Sequence, residues 1–201
     1  MILLIDNYDS FSYNLVQAFG TICMEQAAST GCYEPDIRVI RNDEMTVDEI
    51  RSLHASHIIL SPGPGYPKDA GVCEDVVRQL GSEVPLLGVC LGHQGICEVF
   101  GANITHAKKL MHGKQSVVTI DTKEDIFKGL PEKIPVARYH SLIAGRDAFP
   151  EELAVIAEDE MGEVMAVRHR KYPIYGLQFH PESILTPDGM TILKNFLEIM
   201  A

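Results

Sequence analysis

The sequence is short of positive charge and nowhere concentrates it: 17 lysines and arginines stand against 28 acidic residues, a formal net charge of −11 over 201 residues. A surface of that sign repels phosphate, so nucleic acid is not an expected partner. Long apolar runs are missing too. None approaches the ~20 residues that cross a bilayer, and residues 1–6 lack the basic region and long apolar stretch of a secretory leader, so the expected location is cytoplasmic, off the membrane. Among five cysteines (Cys23, Cys32, Cys73, Cys90, Cys97) there is no C-x-x-C pair, and among eight histidines no H-E-x-x-H spacing. That argues for reduced thiols and against a zinc site. No repeat, low-complexity tract or linker divides the chain, and its length suits one core, so residues 1–201 are expected to form a single domain.

What the sequence does have is an alternation of apolar strands and amphipathic helices. Hydrophobic residues at 46% and charged residues at 22% exclude disorder. Continuous apolar runs at 2–5, 37–40, 58–60 and 84–89 read as strands, separated by helices over 10–20, 46–54 and 72–80 and followed by one over 93–100. Strands buried on both faces with helical crossovers imply a parallel, doubly wound α/β sheet. After Gly101 the strands at 116–120, 136–139, 153–157, 164–168 and 174–179 follow one another with short turns, which implies a smaller antiparallel set. Ile192, Leu193, Phe196, Leu197 and Met200 then mark a closing helix. The connection at 21–36 is far longer than an ordinary αβ turn and reads as an insertion.

The strongest chemical signal is Gly88-Val89-Cys90-Leu91-Gly92, a buried strand running through G-x-C-x-G into a helix. This is the strand-turn-helix setting of a nucleophile elbow, and the helix N-terminus beyond it favours thiolate over thiol. A lone cysteine is more often structural; the glycine frame reverses that, whereas Cys97, mid-helix and unframed, is assigned to packing. A cysteine nucleophile needs a base and the base an orienting acceptor. His180-Pro181-Glu182, at the end of the strand 174–179, supplies both. A third feature is Ser61-Pro62-Gly63-Pro64-Gly65 at another strand end, where an amide near Gly63 and that of Leu91 suit an oxyanion hole. Pro-Gly turns are common, so this last feature carries weight only beside the other two.

Together these features resemble the class I, or triad, glutamine amidotransferases, and the match runs from Ile2 to Phe196. Asp6-Asn7-Tyr8-Asp9-Ser10-Phe11 and Arg138-Tyr139-His140-Ser141-Leu142 look like the amidotransferase subunits that serve chorismate. The resemblance implies hydrolysis of L-glutamine by Cys90, His180 and Glu182, with no cofactor or metal. It further implies a glutamine site lined by Gly63, Pro64, Gly65, Gln94, Ser141 and Leu142. The partner it implies is a chorismate-using synthase subunit, either anthranilate synthase component I, favoured, or aminodeoxychorismate synthase component I, with Asn7, Tyr8 and Ser10 at the interface. Subunits for GMP or carbamoyl phosphate synthesis fit the segment at 7–11 poorly. Outside this class stand a cysteine hydrolase on the same scaffold, which the placement of Glu182 argues against, and a non-catalytic binding subunit, which the presence of all three residues argues against. His112-Gly113-Lys114 belongs to the resemblance without a chemical task.

Overall fold

Ile2, Leu3, Leu4 and Ile5 are apolar without alternation because both faces of their strand are covered. Ile2 and Leu4 pack into one core cluster and Leu3 and Ile5 into another. This is seen in a computed structural model that describes residues 1–30 and 36–201. The elements run β1 (Ile2–Asp6), α1 (Ser12–Thr30), β2 (Ile37–Arg41), α2 (Val47–Ser52), β3 (His57–Leu60), α3 (Cys73–Leu80), β4 (Leu86–Val89) and α4 (Leu91–Val99). They continue with β5 (Ile104–Ile120), β6 (Lys133–Ala144), β7 (Leu153–Asp159), β8 (Val164–His169), β9 (Ile174–Leu177) and α5 (Gly189–Leu197).

All nine described strands join one sheet in the order β2-β1-β3-β4-β9-β8-β7-β5-β6. The first five in that order are parallel and the rest antiparallel. The α/β fold with a parallel half and an antiparallel half thus stands as the sequence implied. Leu15, Phe19, Ile192 and Phe196 bring α1 and α5 to one face, while Val76, Val77, Leu80, Ile96 and Cys97 bring α3 and α4 to the other. Because β1, β3, β4 and β9 are parallel neighbours, their carboxyl ends open on one edge, where ligands of such sheets bind.

Two elements differ most from expectation. The first helix does not stop at Gly20 but continues to Thr30, because Ile22 extends the buried stripe of Leu15 and Phe19 at helical spacing. Ten residues of the expected insertion are therefore helix, running away from the carboxyl edge. The Asp36 carbonyl accepts from the Ile2 amide, which puts the far end of the segment at the opposite edge. Residues 31–35, with Cys32, lie outside the described residues. The second difference is β5, which begins at Ile104 rather than 116. It pairs with β6 through two register shifts, between His106 and Met111 and between His112 and Lys114, and these break the period-two pattern.

The link between β9 and α5 is tight. A Cβ on Gly189 would lie 1.8 Å from the Pro181 carbonyl oxygen, so the helix start is pressed against the turn that follows β9. Gly189→Ala is expected to destabilise the fold by about 1–3 kcal/mol, the usual penalty for overpacking. Urea denaturation measures this, and an unchanged midpoint would show that the turn is not pinned there.

Candidate active site

Cys90 occupies the corner between β4 and α4 with φ +52° and ψ −98°, a conformation side chains rarely adopt. The flanking glycines make that corner possible. A Cβ on Gly88 would come within 2.4 Å of the Gly92 backbone, and one on Gly92 within 2.5 Å of the Leu60 carbonyl oxygen. Strand and helix therefore touch through backbone, and the cysteine is pushed out of the turn. Its amide is tied to the Leu177 carbonyl at 2.8 Å, and its carbonyl accepts from the Gln94 amide. The first amides of α4, beginning at Leu91, have no carbonyl of their own helix to meet.

His180 arrives just past β9, its amide bonded to the Ala137 carbonyl on β6 at 3.0 Å. The Thr186 hydroxyl donates to the His180 carbonyl and accepts from the Ala137 amide, closing the turn. The imidazole is buried, and its Nδ1 lies 2.7 Å from Oε1 of Glu182, whose carboxylate is buried as well. Phe11 and Tyr139 stand edge-on to the ring at 5.5 and 5.0 Å, fixing its plane. Burial works against charge on this histidine. The Cys90 sulfur and the Glu182 carboxylate outweigh it and hold His180 up to about 10. The sulfur is therefore beside the ring, yet Nε2 makes no hydrogen bond of good geometry among the described residues.

The other sequence-derived residues fall around this pair. Gly63 is wedged between Asn7 and Leu91: its Cβ would meet the Asn7 Cβ at 2.5 Å and Leu91 Cδ2 at 2.7 Å. Pro64 and Gly65 are exposed beyond it. Gln94 is buried and donates to the Leu142 carbonyl at 2.9 Å, which brings those two together, while Ser141 points to solvent. Tyr8 and Ser10 are exposed, Tyr8 with its ring under the Arg41 guanidinium and its hydroxyl on Asp43. Asn7 differs from expectation. It is 3% exposed, its amides bonded to Ser61 and its side-chain oxygen accepting from Asn42 and Cys73, because the turn after β1 must satisfy its own buried polar groups. It braces the turn from below instead of being displayed.

Two groups at the site are absent from the sequence-derived set. Gln178 is wholly buried, with Nε2 3.6 Å from the Cys90 sulfur. A glutamine inside an apolar strand, two residues before His180 and so on its side, is the signal that points to it. Arg138 is buried with two carboxylates, Asp159 and Glu163, each at 2.7 Å, and donates to His140 Nε2 at 3.0 Å. A cleft of about 630 Å3 opens on β5, lined by Lys109, Lys114 and Lys133 with Arg138 among them. It holds none of the elbow residues, and its one buried cation is already paired, so the chemistry belongs at the sheet edge. No group of three or more His, Cys, Asp or Glu among the described residues is placed to hold a metal, and no helix among them is long and apolar enough to cross a membrane.

Comparison with known proteins matches residues 3–200 to the family model for glutamine amidotransferase class-I. Anthranilate synthase component 2 of Cyanophora paradoxa is 46% identical over 100% of both chains. Aminodeoxychorismate/anthranilate synthase component 2 of Bacillus subtilis is 45% identical over 98% of this chain and 96% of that one. A solved structure of a candidate GMP synthase subunit from Thermoplasma acidophilum superposes with a TM-score of 0.81 at 26% identity, covering 98% of this chain and 92% of that chain. The chain belongs to the class-I glutamine amidotransferases.

The His180 pair has a measurable pH signature. Its folded value lies above the ordinary 6.5, so the stability it contributes is fully present below about 6.5 and is lost as pH rises through about 10. Glu182→Gln removes one of the two partners that raise His180, and the ring is expected to titrate closer to neutrality. Imidazole proton resonances followed against pH read this, and an unmoved midpoint would show that Glu182 does not charge the ring.

Proposed function

We propose that the chain is the glutaminase subunit of an amidotransferase that feeds ammonia to a chorismate-using synthase, anthranilate synthase first among them, with Cys90, His180 and Glu182 as its triad. One observation carries the reading: a cysteine at a positive-φ elbow stands beside a buried histidine whose far nitrogen is 2.7 Å from a buried carboxylate. That arrangement fits acyl transfer from a carboxamide, and the two component 2 relatives, aligned over nearly their whole length, favour chorismate chemistry. The reading takes residues 1–201 as one amidotransferase domain working in the cytoplasm.

In this mechanism His180 begins protonated and Cys90 as thiolate. The sulfur attacks the side-chain amide carbon of glutamine, and the oxygen gains negative charge against the amides of Gly63 and Leu91. The C–N bond then breaks as His180 passes its proton from Nε2 to the departing nitrogen, releasing ammonia and leaving a thioester. Water attacks the thioester carbon, giving a proton to His180 as the C–S bond breaks, and glutamate leaves. The triad and the hydrogen bonds around it handle every change of charge. Gly63, Pro64, Gly65, Ser141 and Leu142 would form the wall against which glutamine lies. Gln94 has both amide hydrogens committed, to Leu142 and Gln178, so its oxygen is what it offers, an acceptor suited to the α-ammonium group.

Ammonia released to solvent protonates to unreactive ammonium, so a glutaminase at an open sheet edge gains from being completed by its acceptor subunit. Tyr8 and Ser10, and Ile184, which is 95% exposed two residues past Glu182, lie on the surface such a partner would cover. Aminodeoxychorismate synthase component I is the second reading, because the Bacillus subtilis relative carries both names.

Cys90→Ala is expected to reduce glutamine-dependent product formation at least roughly a thousandfold. Product from added ammonia stays intact, because the acceptor chemistry belongs to the partner. Assays with each of the two synthases, with and without chorismate, choose between the readings. A full glutamate-release rate without any synthase would refute the coupling.

A further inference from the structure

Gln178 reaches the Cys90 sulfur from outside the triad, and hydrogen-bond chemistry fixes which end of its amide does so. The Leu142 carbonyl oxygen can only accept, so the Gln94 atom 2.9 Å from it is the nitrogen, Nε2. That nitrogen can only donate, so the Gln178 atom it meets at 3.1 Å is the oxygen, Oε1. The remaining end of Gln178 is therefore its NH2 group, and this is the end that lies 3.6 Å from the Cys90 sulfur. Geometry and donor chemistry fix the orientation without reference to the reaction. Gln178 is 0% exposed and Gln94 3%, so water does not compete for either amide. The Leu142 carbonyl that starts the series belongs to the segment Arg138-Tyr139-His140-Ser141-Leu142 on β6. Arg138 anchors that strand on Asp159 and Glu163, and it also donates to His140 two residues along the same strand.

We propose that Gln178 is a fourth catalytic residue, whose amide N–H donates to the Cys90 sulfur and favours the thiolate before attack, and that Gln94 is the positioning residue that aims it. This rests on the reading of Cys90 as nucleophile. A buried sulfur gains most from a fixed donor when it is charged, because a thiolate is a strong acceptor and a thioester sulfur a weak one. The donor thus lowers the thiolate resting state and is released from that task once the acyl group is on sulfur. His140 lies close enough to both His180 and His93 to feel their charge. His180 stands beside the sulfur with Glu182 behind; His93 on α4 is held neutral by burial, down to about 4; His140 on β6 is held neutral by burial and by Arg138, down to about 3. Among these groups the only cation turned to the sulfur is His180, and Gln178 adds a second donor that does not titrate.

The test follows alkylation of Cys90 by iodoacetamide over a pH series, read on the Cys90 peptide by mass spectrometry so that other thiols do not interfere. In Gln178→Leu the alkylation midpoint is expected to rise by roughly one to two pH units, the equivalent of losing one hydrogen bond to a charged group. The turnover number for glutamine, measured with the activating synthase, is expected to fall about ten- to a hundredfold near neutrality and to recover at higher pH, with KM nearly unchanged. Gln178→Glu keeps the size of the side chain but turns an acceptor toward the sulfur, so it should move the midpoint at least as far; it serves as the reading if Gln178→Leu does not fold. Gln94→Leu should shift the alkylation midpoint in the same direction. An unmoved midpoint in a folded Gln178 variant overturns the proposal, as does a loss of turnover that no rise in pH restores. Cys90→Ser separates the two levels: if it retains glutaminase activity the nucleophile reading itself fails, whereas an inactive Cys90→Ser beside an unmoved Gln178 midpoint removes only the role of Gln178.

Discussion

The close approach of β4 to the start of α4 constrains everything else at the sheet edge. Gly88 lies against the Gly92 backbone and Gly92 against the Leu60 carbonyl, with no room for a side-chain carbon at either contact. With the two elements this close, the residue between them has to turn through positive φ, and Cys90 does so at +52°. Strain of this kind persists only where the surroundings over-determine it. Here the surroundings are the interior itself: Leu87 and Val89 on one side of β4, Leu86 on the other, and α4 buried along most of its length. The stability of two core clusters thus holds one cysteine in place.

Three separate stretches of chain then come to that cysteine, each held from behind by a buried polar group. The turn after β1 is organised by Asp6, which accepts from the Ser12 hydroxyl at 2.6 Å and pairs with Arg41, and it delivers Phe11 to the face of His180. The turn after β9 is closed by Thr186 and capped by the tight start of α5 at Gly189. β6 is anchored through Arg138. Burying charge is unfavourable unless it is paired, and each of these buried ions has a partner: Arg138 with Asp159 and Glu163, Asp6 with Arg41, Glu182 with His180. In the proposed mechanism the last pair differs from the others because its cation hands over a proton.

Much of this architecture is legible in the residues, and the parts that are not share a cause. Continuous apolar strands, glycine-framed Cys90 and the His180-Pro181-Glu182 turn announce themselves because their patterns are local and period-bound. The antiparallel arm at the start of β5 does not, since two register shifts break its alternation and its side chains are largely polar. The full length of α1 is hidden because Gly20 looks like a stop while Ile22 carries the buried stripe onward. Asn7 has the look of a surface residue, yet satisfying the turn after β1 draws it inward. Gln178 and Arg138 escape a reading of the sequence because their meaning lies in what they touch across the fold. A polar residue in an apolar strand shows nothing of its partner until the strands are assembled.

The central claim is that the sulfur at the elbow, rather than any other thiol, is the atom that attacks glutamine. The most direct measurement is to treat the protein with a glutamine-derived electrophile, locate the adduct by mass spectrometry, and repeat the reaction in excess glutamine. The expected result is one adduct, on Cys90, suppressed by glutamine. Cys73 and Cys97 should stay unmodified, because burial pushes the Cys73 thiol up to about 12 and the Cys97 thiol higher still. An adduct on Cys73 or Cys97, or one on Cys90 that glutamine does not suppress, would contradict it.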